Sequence, residues 1–221
     1  QSHDKGNTYR IILDELRKAG YYTQTEILDA QYYVPQHRER TVIVGFKRQN
    51  IPFNLNKRDY ISNKKPILKD ILLSETEVDD KYILSDHLWD YLKKRTLDHK
   101  AKGNGFEHGL VKSDGIARTL SARYHKDGSE ILIFRGENNN PRRLSPRECA
   151  RLMGFKDSFQ MPVSNTQAYI QLGNAVVVPL FKDLAKNLKL YIEGCINDIP
   201  LDEFPVREGY QAELTSELTQ K

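Results

Sequence analysis

Arg143-Leu144-Ser145-Pro146-Arg147-Glu148-Cys149-Ala150-Arg151-Leu152-Met153-Gly154-Phe155, followed by Gln167-Ala168-Tyr169-Ile170-Gln171-Leu172-Gly173-Asn174-Ala175-Val176, carries the sharpest structural signals of the chain. Ser145 is a capping residue, Pro146 suits the first helical position, and Glu148 at the third can reach back to the cap. Gly154 is placed to stop that helix. Ser164-Asn165-Thr166-Gln167 repeats the start signal, Gly173 is placed to end the second helix, and Asn174 is expected to open the next. Phe181, Leu184, Leu188 and Tyr191 then extend a helical apolar stripe.

Toward the N-terminus, Tyr9, Ile12, Leu13 and Leu16 fall on one helical face, with Arg17, Lys18 and Gly20 marking its end. An extended segment through Ile27 follows. Thr41-Val42-Ile43-Val44-Gly45-Phe46 reads as a strand buried on both faces, as in an α/β sheet. Residues 48–65, with Pro52, Asn54, Asn56 and Asn63, read as a linker. A helix is expected from Ser85-Asp86 to about Gly103, burying Leu88, Trp89, Tyr91 and Leu92. Strands are expected at 118–124 and 130–134 around an Asp127-Gly128 turn. The middle is thus a small, loop-rich α+β region. The tail beyond Gly194, with Pro200, Pro205 and Gly209, is expected to be poorly ordered.

The chain has 221 residues, 38% hydrophobic and 29% charged, which suits a globular protein. No apolar run approaches the ~20 residues of a membrane span. Gln1-Ser2-His3-Asp4-Lys5 has no signal-peptide pattern and no Met, so a cleavage product or an incomplete piece is expected. The cysteines, Cys149 and Cys195, show no metal spacing and no disulfide framework, which points to a reducing compartment. Cys149 lies among apolar residues of a helix and is read as packing, not as a nucleophile. Residues 91–126 hold nine Lys/Arg against Asp98, Glu107 and Asp114, whereas the tail from Glu193 is acidic. A basic middle fits phosphate contact, and equally a solvated face.

Arg38 and Arg40 stand two apart at the entry of the 41–46 strand and so share a face. With Gln36 they make a fork able to grip a phosphate or a base carbonyl, or they are surface arginines at a strand edge.

Taken in order, these segments resemble the DNA cytosine-5 methyltransferases. Gln36-His37-Arg38-Glu39-Arg40 ahead of an apolar strand resembles the family's eighth motif, 143–155 the ninth and 167–176 the tenth. Ile116-Ala117-Arg118-Thr119-Leu120-Ser121 resembles the core of its target recognition domain. Gly103-Asn104-Gly105-Phe106 and Tyr124-His125-Lys126-Asp127-Gly128 resemble the Dcm-type branch, although Glu107-His108 replace the usual Gly-Tyr. The resemblance implies the C-terminal part of a Rossmann-like class I methyltransferase domain plus a small α+β target recognition domain. By motif order, 1–64 is the end of the catalytic domain and linker, 65–160 the recognition domain, 161–192 the return, and 193–221 an acidic tail.

The resemblance also implies roles. Arg38 and Arg40 face the extruded cytosine, Arg40 nearer the base. Asn174, Ala175 and Val176 hold part of S-adenosyl-methionine, with Ala175 standing where many members carry serine. Gln36, Asn104, Arg118, Thr119, Arg123 and Tyr124 contact double-stranded DNA, and Thr119 holds the sugar–phosphate of the flipped nucleotide. No metal is implied, and the setting is the bacterial cytoplasm. Neither the family's Pro-Cys nor its Glu-Asn-Val occurs in the chain. The expectation is therefore an enzyme part, inactive alone, that needs an N-terminal segment or a second polypeptide for the Cys and Glu. The alternative is a non-catalytic, sequence-specific DNA-binding module.

Overall fold

A computed structural model describes residues 6–61, 65–103, 105 and 107–204. Asn104 and the tail from Pro205 lie outside them, so those expectations cannot be placed on the fold. The elements are α1 (Asn7–Lys18), β1 (Tyr22–Asp29), β2 (Glu39–Phe46), α2 (Asp86–Ala101), β3 (Leu110–Val111), β4 (Leu132–Ile133), β5 (Arg142–Arg143), α3 (Pro146–Leu152), α4 (Asn165–Asn174) and α5 (Val178–Ile196). They fall into two compact units. One is drawn from Gln1–Leu28, Arg40–Tyr60 and Lys182–Lys221, the other from Asp29–Glu39 and Ile61–Phe181.

In the first unit, α1 ends as its sequence specifies. Gly20 takes a positive φ of 84°, and the N–H of Tyr21 closes on Leu16 O at 2.9 Å. Its apolar stripe buries no residue; Ile12 is 44% exposed. β1 and β2 form a two-stranded sheet. Val42 and Val44 are buried while Thr41 and Gly45 are exposed, so β2 is buried on one face only. This corrects the two-faced burial expected from its composition: of the other face, Thr41 and Gly45 are exposed and Ile43 is only half-buried.

The linker reading of 48–65 is also corrected. Phe53, Leu55 and Tyr60 are all buried. The amide of Gln24 accepts the Leu55 N–H at 2.7 Å and donates to Phe53 O, tying this segment to β1. Phe53 then meets Tyr191 of α5 edge-on at 5.2 Å, and Asn187 Nδ2 donates to the Tyr60 hydroxyl at 3.1 Å. Polar neighbours hid three core residues.

In the second unit, β4 is central, parallel to β3 (Leu110 opposite Leu132) and antiparallel to β5 (Leu132 opposite Arg143). The segment 118–124, expected as a strand, is not one, and only Leu132–Ile133 of 130–134 pairs. Its backbone is satisfied by side chains instead of a ladder: Leu120 N–H donates to Gln36 and Ser121 N–H to Glu130. In α2, Ser85 caps the N-terminus, and Leu92 is buried with Leu84 and Leu132 while Leu88 and Trp89 pack on that cluster. Tyr91, expected on the buried face, is 52% exposed, because it lies about 100° around the helix from Leu92.

α3 carries the capping box as read: Ser145 Oγ accepts the Glu148 N–H at 3.2 Å, and Glu148 Oε2 accepts the Ser145 N–H at 2.7 Å. Glu148 is fully buried and also holds Arg142, 1% exposed, through two bonds of 2.9 and 3.0 Å. It further accepts the Leu73 N–H at 3.0 Å. One carboxylate thus joins β5, α3 and the 68–73 loop. Removing one partner of a buried pair strands the other charge, so Arg142→Ala should destabilise the protein by about 3–5 kcal/mol in a urea titration. An unchanged midpoint would contradict that role.

Candidate functional site

The second unit contains an open cleft of about 730 Å³, whose walls include His37, Glu107, Arg118, Thr119, Ser121 and Glu130. The 117–121 wall is fixed from behind. Ala117 N–H donates to Pro35 O at 2.8 Å and His37 N–H to Ala117 O at 2.9 Å, a parallel bridge between Gln36 and Ala117. Gln36 is fully buried, and its Oε1 accepts the Leu120 N–H at 2.7 Å. Arg38 is 2% exposed; its Nη1 donates to Leu120 O at 2.7 Å and its Nη2 to Gly173 O and Ala175 O, each at 2.9 Å. From the front, Thr119 Oγ1 donates to His37 O at 2.8 Å. Glu130 accepts both the N–H and the hydroxyl of Ser121.

This geometry sorts the expected residues. Arg118 and Thr119 line the cleft, and Arg123 is exposed next to it in sequence. Arg118 donates to Glu107 O at 2.7 Å and pairs with its carboxylate at 3.1 Å. Gln36 and Tyr124, expected as DNA contacts, are core residues. Tyr124 is 1% exposed; its hydroxyl donates to Ile131 O and accepts the Leu144 N–H, at 2.7 and 2.8 Å. Burial raises its pKa well above the usual phenol value.

The exposed fork of Arg38 and Arg40 does not form either, because Arg38 precedes β2 and turns inward to carbonyls while Arg40 is exposed. Partial desolvation lowers the Arg40 pKa, yet an arginine stays cationic at any physiological pH. Sequence reading missed Ser121, Glu130 and the backbone of His37 as parts of the wall. No spacing or composition signal set them apart.

Asn174 is the last residue of α4, not the opening of the next helix, and α5 begins at Val178, whose N–H donates to Met153 O at 3.0 Å. Gly173 lies within α4. It is needed for close approach, since a Cβ there would overlap the backbone of Ser121 and Ala122. Asn174 and Val176 are exposed, the latter by 48%. The Ala175 N–H closes on Leu172 O at 3.2 Å.

Asp29, His37 and Glu39 have ligand atoms within 4.8 Å of one another. Asp29 already accepts the N–H groups of Gln31 and Arg38 and pairs with His37 Nδ1 at 2.6 Å, so its carboxylate organises this loop. Cys149 is buried, and desolvation with the nearby Glu148 raises its pKa well above normal, as packing and not nucleophilic use requires. No helix among the described residues is long and apolar enough to cross a membrane.

The model of the C-5 cytosine-specific DNA methylase family matches residues 1–190. The chain belongs to this family. It is 43% identical to the DNA-cytosine methyltransferase of Escherichia coli (strain K12), over 89% of the chain and 48% of that protein. It is 44% identical to the type II methyltransferase M.NlaX of Neisseria lactamica, over 86% of the chain and 59% of that protein. The chain therefore spans about half the length of these curated relatives. The crystal structure of S. pombe Dnmt2 methyltransferase superposes with a TM-score of 0.66 at 19% identity, over 86% of this chain and 64% of that one, which supports the fold. Cytosine-5 methyltransferases use S-adenosyl-methionine as methyl donor.

For this family member, Tyr124→Phe should lower stability by about 1–3 kcal/mol, because a buried N–H and a buried carbonyl lose their partner. Arg118→Ala, at an exposed ion pair, should stay within about 0.5 kcal/mol of the parent. Paired urea titrations check the contrast, and the reverse order would contradict the sorting of core from cleft.

Proposed function

We propose that this chain is the recognition part of a DNA (cytosine-5)-methyltransferase that modifies C5 of a flipped cytosine in a specific duplex site, in a bacterial cytoplasm. The observation that carries this reading is the cleft whose 117–121 wall is locked from behind by Gln36 and Arg38. That lock presents Arg118 and Thr119, in a segment that resembles the family's recognition core, to an open volume. By motif order, 1–64 and 161–192 close a Rossmann-like class I methyltransferase domain, 65–160 form the target recognition domain, and 193–221 are an acidic tail. Asp29–Glu39 and 161–181 follow that order but pack with the recognition residues.

A duplex hides the reacting carbon, so the base must leave the stack. Thr119 and Arg118 hold the sugar–phosphate backbone at that point, with Arg123 beside them. Arg40 sets its cation against the carbonyl of the extruded base, where charge develops as a thiolate adds to the ring. Arg38 acts through others, as a positioning residue. The thiolate and the acidic partner come from outside these 221 residues, since neither Pro-Cys nor Glu-Asn-Val occurs in the sequence. An N-terminal segment or a second polypeptide supplies them. S-adenosyl-methionine, when bound, supplies the methyl group. The exposed Asn174 amide and Val176 suit part of it, whereas Ala175 has its N–H and carbonyl already engaged.

The test is methyl incorporation into duplex DNA by this chain alone and after mixing with a polypeptide carrying Pro-Cys and Glu-Asn-Val. The chain alone should be inactive and the mixture active. Arg40→Ala in the mixture should lower kcat by roughly 10²–10³. Transfer by the chain alone, or none with such a partner, would sink the proposal.

A further inference from the structure

Helix α2 has a second face that the cleft does not use. Its core side is anchored by Leu92, 0% exposed, with Leu88 and Trp89. Around the helix, Tyr91, Lys94, Arg95, Asp98, His99 and Lys102 line an open groove. Three of these are permanent cations, one is a histidine and one an acid.

Helix electrostatics explain only part of this. Lys102 and the neighbouring Lys100 sit where cations offset the negative C-terminal end of a helix ending at Ala101. Lys94 and Arg95 lie beyond the last turn, outside the reach of that effect. Surface pairing explains only part as well. Lys93 binds Asp90 at 2.7 Å, and Arg95 meets Asp127 at a loose 3.9 Å. Lys94 and Lys102 have no ion pair among the described residues. Tyr91, 52% exposed, adds a phenol that packing does not require.

From another side, α2 is tied to the cleft rim. Thr96 Oγ1 shares a 2.9 Å hydrogen bond with His108 Nδ1 and accepts the His108 N–H at 3.4 Å. Trp89 meets the His108 ring edge-on at 4.9 Å. The residue before His108 is Glu107, which holds Arg118 of the cleft wall. α2 is thus tethered through His108 and the adjoining Glu107 to a residue that lines the cleft.

We propose that the Tyr91–Lys102 face of α2 grips the phosphate backbone of duplex DNA outside the target bases. It thereby adds sequence-independent affinity to the recognition cleft. This rests on the reading of the chain as a DNA-recognition part. At the helical rise, Tyr91 to Lys102 spans about 16 Å, the axial length of roughly five nucleotides of one strand. Lys94, about a quarter of the way along that span, and Lys102 at its end neutralise separate phosphates, with Arg95 between them.

The test is the salt dependence of binding of the 221-residue chain to a fluorescent 30-base-pair duplex of arbitrary sequence. The parent is compared with Lys94→Ala/Lys102→Ala and with a control pair on α5, Lys186→Ala/Lys189→Ala. Lys94, Lys186 and Lys189 are exposed helix positions and Lys102 is the exposed residue that follows α2, so alanine is tolerated at each. The α2 pair should flatten the slope of log K against log salt by about 2, and the control pair should leave it unchanged. Equal slopes for parent and α2 variant would overturn this inference alone. Equal flattening by the control would overturn it too, as nonspecific loss of charge. Failure of the parent to bind the duplex would overturn the recognition reading and this inference with it.

Discussion

A guanidinium buried against backbone carbonyls ties three segments of the second unit to one another. Arg38 sits where Leu120, Gly173 and Ala175 all turn a C=O toward one point. Hydrogen bonds to a charged group contribute about 1.5–3 kcal/mol each, and no neutral side chain offers the same planar fork of donors. Through this residue the 34–38 segment, the cleft wall at 117–121 and the end of α4 are fixed to one another. Gln36 adds a second anchor on the Leu120 N–H. Gly173 completes the arrangement by letting the 121–122 backbone lie directly on α4.

That constraint explains how the cations are divided. Arg142 is consumed by the buried Glu148. Arg38 is consumed by carbonyls. Arg40 and Arg123 are exposed, and Arg118 is held by Glu107 through both its backbone carbonyl and its exposed carboxylate. Arg38 thus fixes the cleft wall from behind, and Arg118 lines the cleft.

Several helix boundaries were legible in the sequence because their signals are local, whereas Gly173 and Asn174, expected as a stop and a start, both lie within α4. Ser145, Pro146, Glu148 and Gly154 act within one turn of themselves, and the structure bears out that cap and stop. Gly20 and Ser85 are equally readable. What the sequence obscured depends on distant partners. Residues 118–124 have strand-like composition, but Gln36 and Glu130 take the hydrogen bonds that a ladder would need. Phe53, Leu55 and Tyr60 are buried by α5 and Gln24, far along the chain, inside a stretch whose local composition is polar. The Gln36–Arg40 pattern did not reveal which side chains face out. Alternation applies within a strand, and Arg38 lies just before β2 begins.

The central claim is that Gln36 and Arg38 hold the cleft wall from inside. Hydrogen–deuterium exchange at the Leu120 amide tests it most directly, in the parent and in Gln36→Leu. That substitution removes the acceptor while keeping an apolar side chain of similar size. The account predicts that Leu120 is protected in the parent and exchanges markedly faster in the variant, while amides of α3 keep their protection. Equal protection of Leu120 in both proteins would contradict it.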